Sequence, residues 1–531
     1  MAVRRRAFRS ILALTACAAL LAGCGGARSG AGSGGASGTK DQAANAVPAG
    51  AVFFADANID TGSNAWTKLE KLGSRFPAWN GLVAQVENGL KSQKKGVSFD
   101  SEVKPWLGTE AAVAVTGVSP RVGGGPKATY IAYVESKDDG KLEAAIVHDG
   151  TATPAGTYRG YALYRDSSSP GMEAAVGHGA LLLASDDATL KTSINTREGT
   201  GSRLADSAAF KDAMGKLPSD SLAVAYVDGA SLAQLASLAV ASSGSSGPKA
   251  AGVTPRQASQ LLNQLGAIRA IALSAGAEDA GFRIHAAVLA NPGQGQTLGL
   301  RTGGSFTPSL TALVPGNAYA FLSFSNLGPA LQTAVRQYGG AKAARQLHQL
   351  QARTGLSVQG DLAPLLSGEN AVYVAPGLPY SVGMLLKPHD INRAVATMRK
   401  VTTLVRRQGG KVTSVPGGAS IQTGNSGTAA SWRRVGDVIA ISNDPSAGSA
   451  RSDSLQASQS FGDALSAAGA KGPVTGLLYA NLGQIINAVT MVSGTAVSST
   501  ASANLAHLGA LVLSTKASGD TATVDAFVTV K

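Results

Sequence analysis

A chain of 531 residues is longer than one hydrophobic core ordinarily organises, so two or more domains are expected. Only 15% of its residues are charged, and its two cysteines, Cys17 and Cys24, exclude a disulfide framework because export would remove the first. With the arginines at 4, 5, 6 and 9 set aside, Lys and Arg balance Asp and Glu at 24 to 24 over residues 24–300 but outnumber them 18 to 9 over residues 301–531, a bias toward an anionic surface and not toward nucleic acid.

Residues 1–23 read as a lipoprotein signal peptide. The basic start is followed by an apolar segment from Ile11 to Leu21, and Leu21-Ala22-Gly23-Cys24 supplies the small residues that admit a signal peptidase. Cys24 would then be lipidated with acyl chains such as palmitate, anchoring the protein to the outer face of a bacterial cytoplasmic membrane. Arg5-Arg6-Ala7-Phe8 fits part of a twin-arginine signal, but Arg4 stands where Ser or Thr is usual, so both export routes stay open. No later stretch is apolar and long enough to span a bilayer. Residues 24–46 read as a flexible Gly/Ser/Ala tether with a root-mean-square reach of roughly 25 Å. Its Gly30-Ala31-Gly32-Ser33-Gly34-Gly35 run has the spacing of a dinucleotide loop, but no strand precedes it and no helix follows.

Beyond the tether the chain repeats itself, with a first domain over 47–292, a linker over 293–313 and a second domain over 314–531. Val47-Pro48-Ala49-Gly50-Ala51-Val52-Phe53-Phe54 returns as Val314-Pro315-Gly316-Asn317-Ala318-Tyr319-Ala320-Phe321. The block from Pro105 to Val113, with Trp106 and Glu110, aligns without a gap on Pro364 to Val372, with Leu365 and Glu369. Leu204, Phe210 and Ala213 fall on Leu455, Phe461 and Ala464, Tyr226 on Tyr479, and Ile284, Ala286 and Val288 on Val524, Ala526 and Val528.

Val, Ile, Leu and Tyr enrichment predicts strands over Ala111–Gly117, Thr129–Glu135, Ala174–Ser185, Leu222–Asp228, Arg269–Ala277 and Phe282–Leu289. Helical spacing predicts helices over Trp66–Leu90, Ala205–Met214 and Pro255–Leu265. Asp390 reads as the N-cap of a helix with an apolar stripe of Ile391, Val395, Met398, Thr402 and Val405, and with Arg393, Arg399, Lys400, Arg406 and Arg407 opposite. The fold class is α+β, as two tandem duplicated domains, each a largely antiparallel sheet with amphipathic helices packed on one face.

The lipobox and tether, the Val-Pro turn and strand, the segment Phe99-Asp100-Ser101-Glu102-Val103-Lys104-Pro105-Trp106-Leu107-Gly108 and its echo in the second half resemble an uncharacterised bacterial family, domain of unknown function 3352. The resemblance covers nearly everything after Ala46. It implies an envelope location but carries no assigned activity and no site residues.

Chemistry-bearing motifs are sparse. The six histidines include no pair at metal-ligand spacing, and neither a phosphate loop nor a nucleophile elbow occurs, so no metal, no cofactor and no catalytic residue is assigned. Asp138-Asp139 and Asp186-Asp187 precede helix-like segments and read as helix caps. His178, between Gly177 and Gly179, reads as a turn, and Trp106 as core. Two small-residue segments follow the Tyr-bearing strands, Ala230–Val240 and Leu482–Val492. Their Leu235 and Leu238, and Ile486 and Val489, are the candidate contacts to a hydrophobic ligand. Arg399, Arg406 and Arg407 are the candidate contacts to an anionic lipid or envelope polymer.

The expectation is therefore a non-enzymatic envelope lipoprotein that binds a hydrophobic molecule or envelope component. The alternative is a structural scaffold for an envelope complex, with no small-molecule ligand. Neither reading involves nucleic acid, and the sequence names no protein partner.

Overall fold

The structure, a computed structural model, describes residues 42–79, 81, 103–119, 127–147, 152–166, 171–242, 255–299, 304–329, 331–332, 340–377, 380–422, 429–493 and 499–531. The signal segment, Cys24 and the Gly-rich part of the tether lie outside the described residues. The molecule is mixed α/β with extensive antiparallel sheet, and it divides into a unit ending at Asn291 and a second beginning at Pro292.

The first unit contains β1 (Phe53–Asn58), β2 (Leu107–Ser119), β3 (Lys127–Ser136), β4 (Ala152–Tyr158), β5 (Tyr161–Asp166), β6 (Glu173–Gly177), β7 (Ala180–Ala184), β8 (Ala223–Asp228), β9 (Ile268–Glu278) and β10 (Gly281–Ala290). Antiparallel pairing sets the order β4-β5-β6-β7-β3-β2-β1-β8-β9-β10. The second unit contains β11 (Ala320–Ser325), β12 (Glu369–Ala375), β13 (Ser381–Lys387), β14 (Lys411–Val415), β15 (Gly418–Gln422), β16 (Ala429–Val435), β17 (Val438–Ser442), β18 (Gly476–Asn481), β19 (Leu508–Ser518) and β20 (Thr521–Val530). Its order is β14-β15-β16-β17-β13-β12-β11-β18-β19-β20, again antiparallel throughout.

The Val-Pro turns explain how each unit begins. Ala51 N–H donates to the Pro48 carbonyl at 3.0 Å and Ala318 N–H to the Pro315 carbonyl at 3.0 Å, turning the chain into its first strand. The carbonyls of Val47 and Val314 accept from Leu204 and Leu455 at 2.8 and 2.7 Å, which pins each entry to a distant 3-10 turn. Beneath the first strands the rings pack edge to face. Phe210 meets Phe54 at 5.7 Å and Tyr226 at 5.1 Å, while Phe461 meets Phe321 at 6.5 Å and Tyr479 at 4.9 Å.

Helices cover both faces of the sheet, whereas the sequence led us to expect one. In β7, Ala180, Leu182 and Ala184 pack with Leu190 and Ile194 of the Asp187–Arg197 helix, while Leu181 and Leu183 pack on the other side with Leu142 and Ile146 of the Asp139–Val147 helix. The physical reason is the uninterrupted apolar run Ala-Leu-Leu-Leu-Ala, which has no polar face to leave in water. The chain also joins the fold earlier than composition indicates. Gln42–Asn45 forms a short helix, and Ala43, Ala44 and Ala46 are fully buried, so the end of the expected tether belongs to the core. Phe306, in the expected linker, bridges Val474 of the second unit.

Candidate functional site

Strand register assembles a surface that no single strand announces. On the face of the first sheet opposite Phe54 and Tyr226, pairing places Ala132, Val113, Ala55, Ala225, Leu273 and Ala286 in one row across six strands. The next row along is Tyr130, Val115, Phe53, Val227, Ile271 and Val288. On the other side lie Val134, Ala111, Ala57, Ala223, Ala275 and Ile284. No position in these rows is charged. At the usual strand spacing six strands span roughly 24 Å.

The second sheet repeats the arrangement with Met384, Val372, Leu322, Leu478, Leu513 and Ala526, beside Val382, Val374, Ala320, Ala480, Leu511 and Val528. The Asp139–Val147 helix covers the β3 end of the first face, and the Ile391–Arg407 helix packs over Met384 in the second. Farther along, cover thins. Leu273 and Ile284 are 37% and 55% exposed in one unit, and Leu322 and Val382 are 40% and 48% exposed in the other. Large apolar side chains left in water on this face of both sheets, at β9 and β10 in one and at β11 and β13 in the other, are the unusual feature of this molecule.

The two small-residue segments are helices, Gly229–Ser242 and Leu482–Ser493, and each packs on the two strands that flank it, β8 with β9 and β18 with β19. Each is paired in sequence with a second helix, Pro255–Ala267 and Ser499–Leu505. Leu235 and Ile486 are half-buried, whereas Val489 stands 57% exposed. The side chain of Leu238 lies outside the described residues.

The basic helix forms as its periodicity predicts. The Asp390 carboxylate accepts from Arg393 N–H at 3.0 Å, and the helix runs from Ile391 to Arg407. Met398 and Thr402 are buried, and Trp432 Nε1–H donates to Thr402 Oγ1 at 2.8 Å. Arg393, Arg399, Lys400, Arg406 and Arg407 are exposed. At 100° per residue Arg393, Lys400 and Arg407 form one row about 21 Å long and Arg399 and Arg406 a second beside it.

A groove of about 430 Å³ opens beside the N-terminal half of this helix, lined by Ser357, Asp361, Arg393 and Lys400 among others. Lys400 Nζ contacts Asp361 at 2.7 Å, and Arg393 Nε–H donates to the Gly360 carbonyl at 3.1 Å. Burial alone would raise the pKa of Asp361. Hydrogen bonds from Lys400 and from Ser357 N–H outweigh it and hold the carboxyl below the usual range.

Several other ionisable groups are engaged in architecture. Asp138 accepts from Lys141 N–H at 3.0 Å and Asp186 from Thr189 N–H at 2.8 Å, so both acidic pairs open helices as expected. Asp139 departs from the capping role by accepting from Gly179 N–H at 3.0 Å in the β6–β7 turn. His178 occupies that turn at φ 54°, with its ring stacked 4.7 Å from Tyr161. Trp106 is 5% exposed, a core residue. Glu369 accepts from the N–H groups of Ser309 and Leu310 and from the hydroxyls of Ser309 and Ser323, and Glu110 accepts from Ala43 N–H at 3.1 Å. Both therefore cap the chain where it enters its unit, a partnership that sequence pointed to only through their shared repeat position. Among the described residues no three His, Cys, Asp or Glu side chains gather in a metal-binding cluster.

A family model described as "Protein of unknown function (DUF3352)" matches residues 12–530. No curated protein matches the chain. Among solved structures, crystal form IV of TP0453 is 9% identical, with 46% of this chain and 79% of that one covered at a TM-score of 0.26. Crystal form III of TP0453 is 7% identical, with 50% and 88% covered at 0.26. Among the described residues no helix is long and apolar enough to cross a membrane.

Proposed function

Because the chain belongs to the DUF3352 family, whose function is unknown, we propose from its own geometry that it is a non-enzymatic binding protein for a hydrophobic molecule. Each unit holds its guest against the open apolar sheet face. The observation that carries this reading is that each unit leaves large apolar side chains of this face exposed, Leu273 and Ile284 on β9 and β10 of one and Leu322 and Val382 on β11 and β13 of the other. The Gly229–Ser242 and Leu482–Ser493 helices, through Leu235, Ile486 and Val489, are the adjoining apolar walls. The reading needs no metal, cofactor or nucleophile, and the acidic pairs beside these faces already cap helices or brace a turn.

The same proposal takes the chain to be a tandem duplication. Its support is the identical strand order of the two units, the paired Phe-Phe-Tyr clusters and the equivalent Pro48 and Pro315 turns. It also takes the protein to be exported and held by lipid at Cys24 on the outer face of the cytoplasmic membrane, with the basic rows of the second unit oriented toward envelope anions. The N-terminal sequence supports the anchor.

The test is native mass spectrometry with organic extraction, on the chain from Lys40 onward, which retains every described residue. A reproducible lipid-like mass is expected. Covering a large apolar side chain contributes about 1.5–3 kcal/mol, so, with these residues partly covered already, Leu273→Ser with Ile284→Ser, or Leu322→Ser with Val382→Ser, should lower occupancy of the affected unit roughly tenfold or more. Protein that stays empty after incubation with envelope lipids overturns the reading and leaves the scaffold.

A further inference from the structure

We propose that the exposed face of the Ile391–Arg407 helix is a docking surface for an anionic phospholipid bilayer. Between residues 387 and 434 the chain carries nine Lys and Arg and a single acid, Asp390, whose carboxylate caps the helix. The buried stripe of Ala394, Thr397, Met398 and Thr402 fixes the helix flat against its own unit, so its cationic rows face outward as a fixed array. Not all of these charges are equally available. Lys400 is bound by Asp361, and Lys387 lies 3.4 Å from Asp437. Arg399, Arg406 and Arg407 have no acidic partner among the described residues.

The helix contributes no apolar wedge on this face: the exposed positions between the rows are Asn392, Ala396 and Thr403. Contact is therefore electrostatic and peripheral, with each cation near an anionic surface adding modestly to binding. Such a contact is weak for a free protein. It becomes effective for a chain tethered at the membrane, because a lipid anchor at Cys24 would raise the local concentration of the chain at the bilayer. This argument favours the bilayer over a soluble polyanion and rests on the lipid anchor proposed at Cys24. It does not depend on the apolar faces.

The experiment is co-sedimentation of the chain from Lys40 onward with phosphatidylglycerol–phosphatidylcholine vesicles at low and at physiological salt. Vesicles of phosphatidylcholine alone and purified anionic wall polymer serve as the other arms. The chain should bind the anionic vesicles, lose binding as salt rises, and ignore phosphatidylcholine. The triple variant Arg399→Gln, Arg406→Gln, Arg407→Gln should bind roughly a hundredfold more weakly with an unchanged urea midpoint, since all three side chains are exposed. The Leu322→Ser, Val382→Ser variant should bind vesicles as wild type does, which separates this surface from the apolar faces. Equal binding by the triple variant, binding indifferent to salt, or binding to wall polymer but not to vesicles overturns the proposal.

Discussion

Glu369 gathers two backbone N–H groups and two hydroxyls around one buried carboxylate, holding residues 309–310 against β11 and β12. Glu369→Ala leaves the buried Leu310 N–H and Ser323 hydroxyl without this acceptor, and stability should fall by about 3 kcal/mol, read as a shift in the urea midpoint at constant slope. Asp361 makes a different prediction. Its folded-state pKa lies below the unfolded one, so it stabilises the fold above the unfolded pKa, and that contribution disappears as pH falls through the folded pKa. Wild-type protein should therefore lose more of its urea midpoint between neutral and strongly acid pH than Asp361→Asn does. An identical loss would show that the Asp361–Lys400 pair does not couple to folding. Local roles of this kind were partly legible. The Asp186 and Asp390 caps follow from a carboxylate placed three residues before its donor. The capping role of Glu369 was not legible, because its donors lie some 60 residues away and only the folded chain brings them together.

At the level of elements, the Ile391–Arg407 helix was readable from N-cap to basic face because a 3.6-residue period and one capping residue specify it locally. Asp390→Ala should cost about 1 kcal/mol and raise hydrogen exchange in the first helical turn. The run from Trp66 to Leu90 is interrupted at residues 74–77, and its residues 80 and 82–90 lie outside the described residues. The helix stops at Gly73, and the chain turns so that Phe76 meets Phe282 at 6.3 Å, a tertiary contact that outweighs helical spacing. The run Ala174–Ser185 proved to be two five-residue strands that turn at His178 and Gly179, both with positive φ. Polar β4, with a proline and a glycine inside it, gave no strand signal. Alanine misled at the tether, where composition alone does not distinguish a flexible Ala-rich segment from one tucked beneath a sheet.

Across the whole molecule each unit has its own core, and the Phe210 and Phe461 clusters share no residue. Phe210→Ala and Phe461→Ala should each cost about 3–5 kcal/mol. Hydrogen exchange should then rise in β1 and β8 for the first and in β11 and β18 for the second. The antiparallel sheet class was visible in sequence because short runs of strand-forming residues follow one another in meander order. The open apolar faces were not, because a strand hydrophobic on both sides looks the same whether its second side is covered or bare. That second side also differs in depth between the units. Where Leu322 and Leu478 stand side by side in the second, Ala55 and Ala225 take their places in the first. Each leucine carries three side-chain carbons more than the alanine in its place, so the floor stands higher in the second unit than in the first. On the proposed reading the halves would then not be redundant: the alanine-floored one would suit a branched or ring-bearing guest and the leucine-floored one a slender chain, so one polypeptide would sort two shapes of apolar cargo.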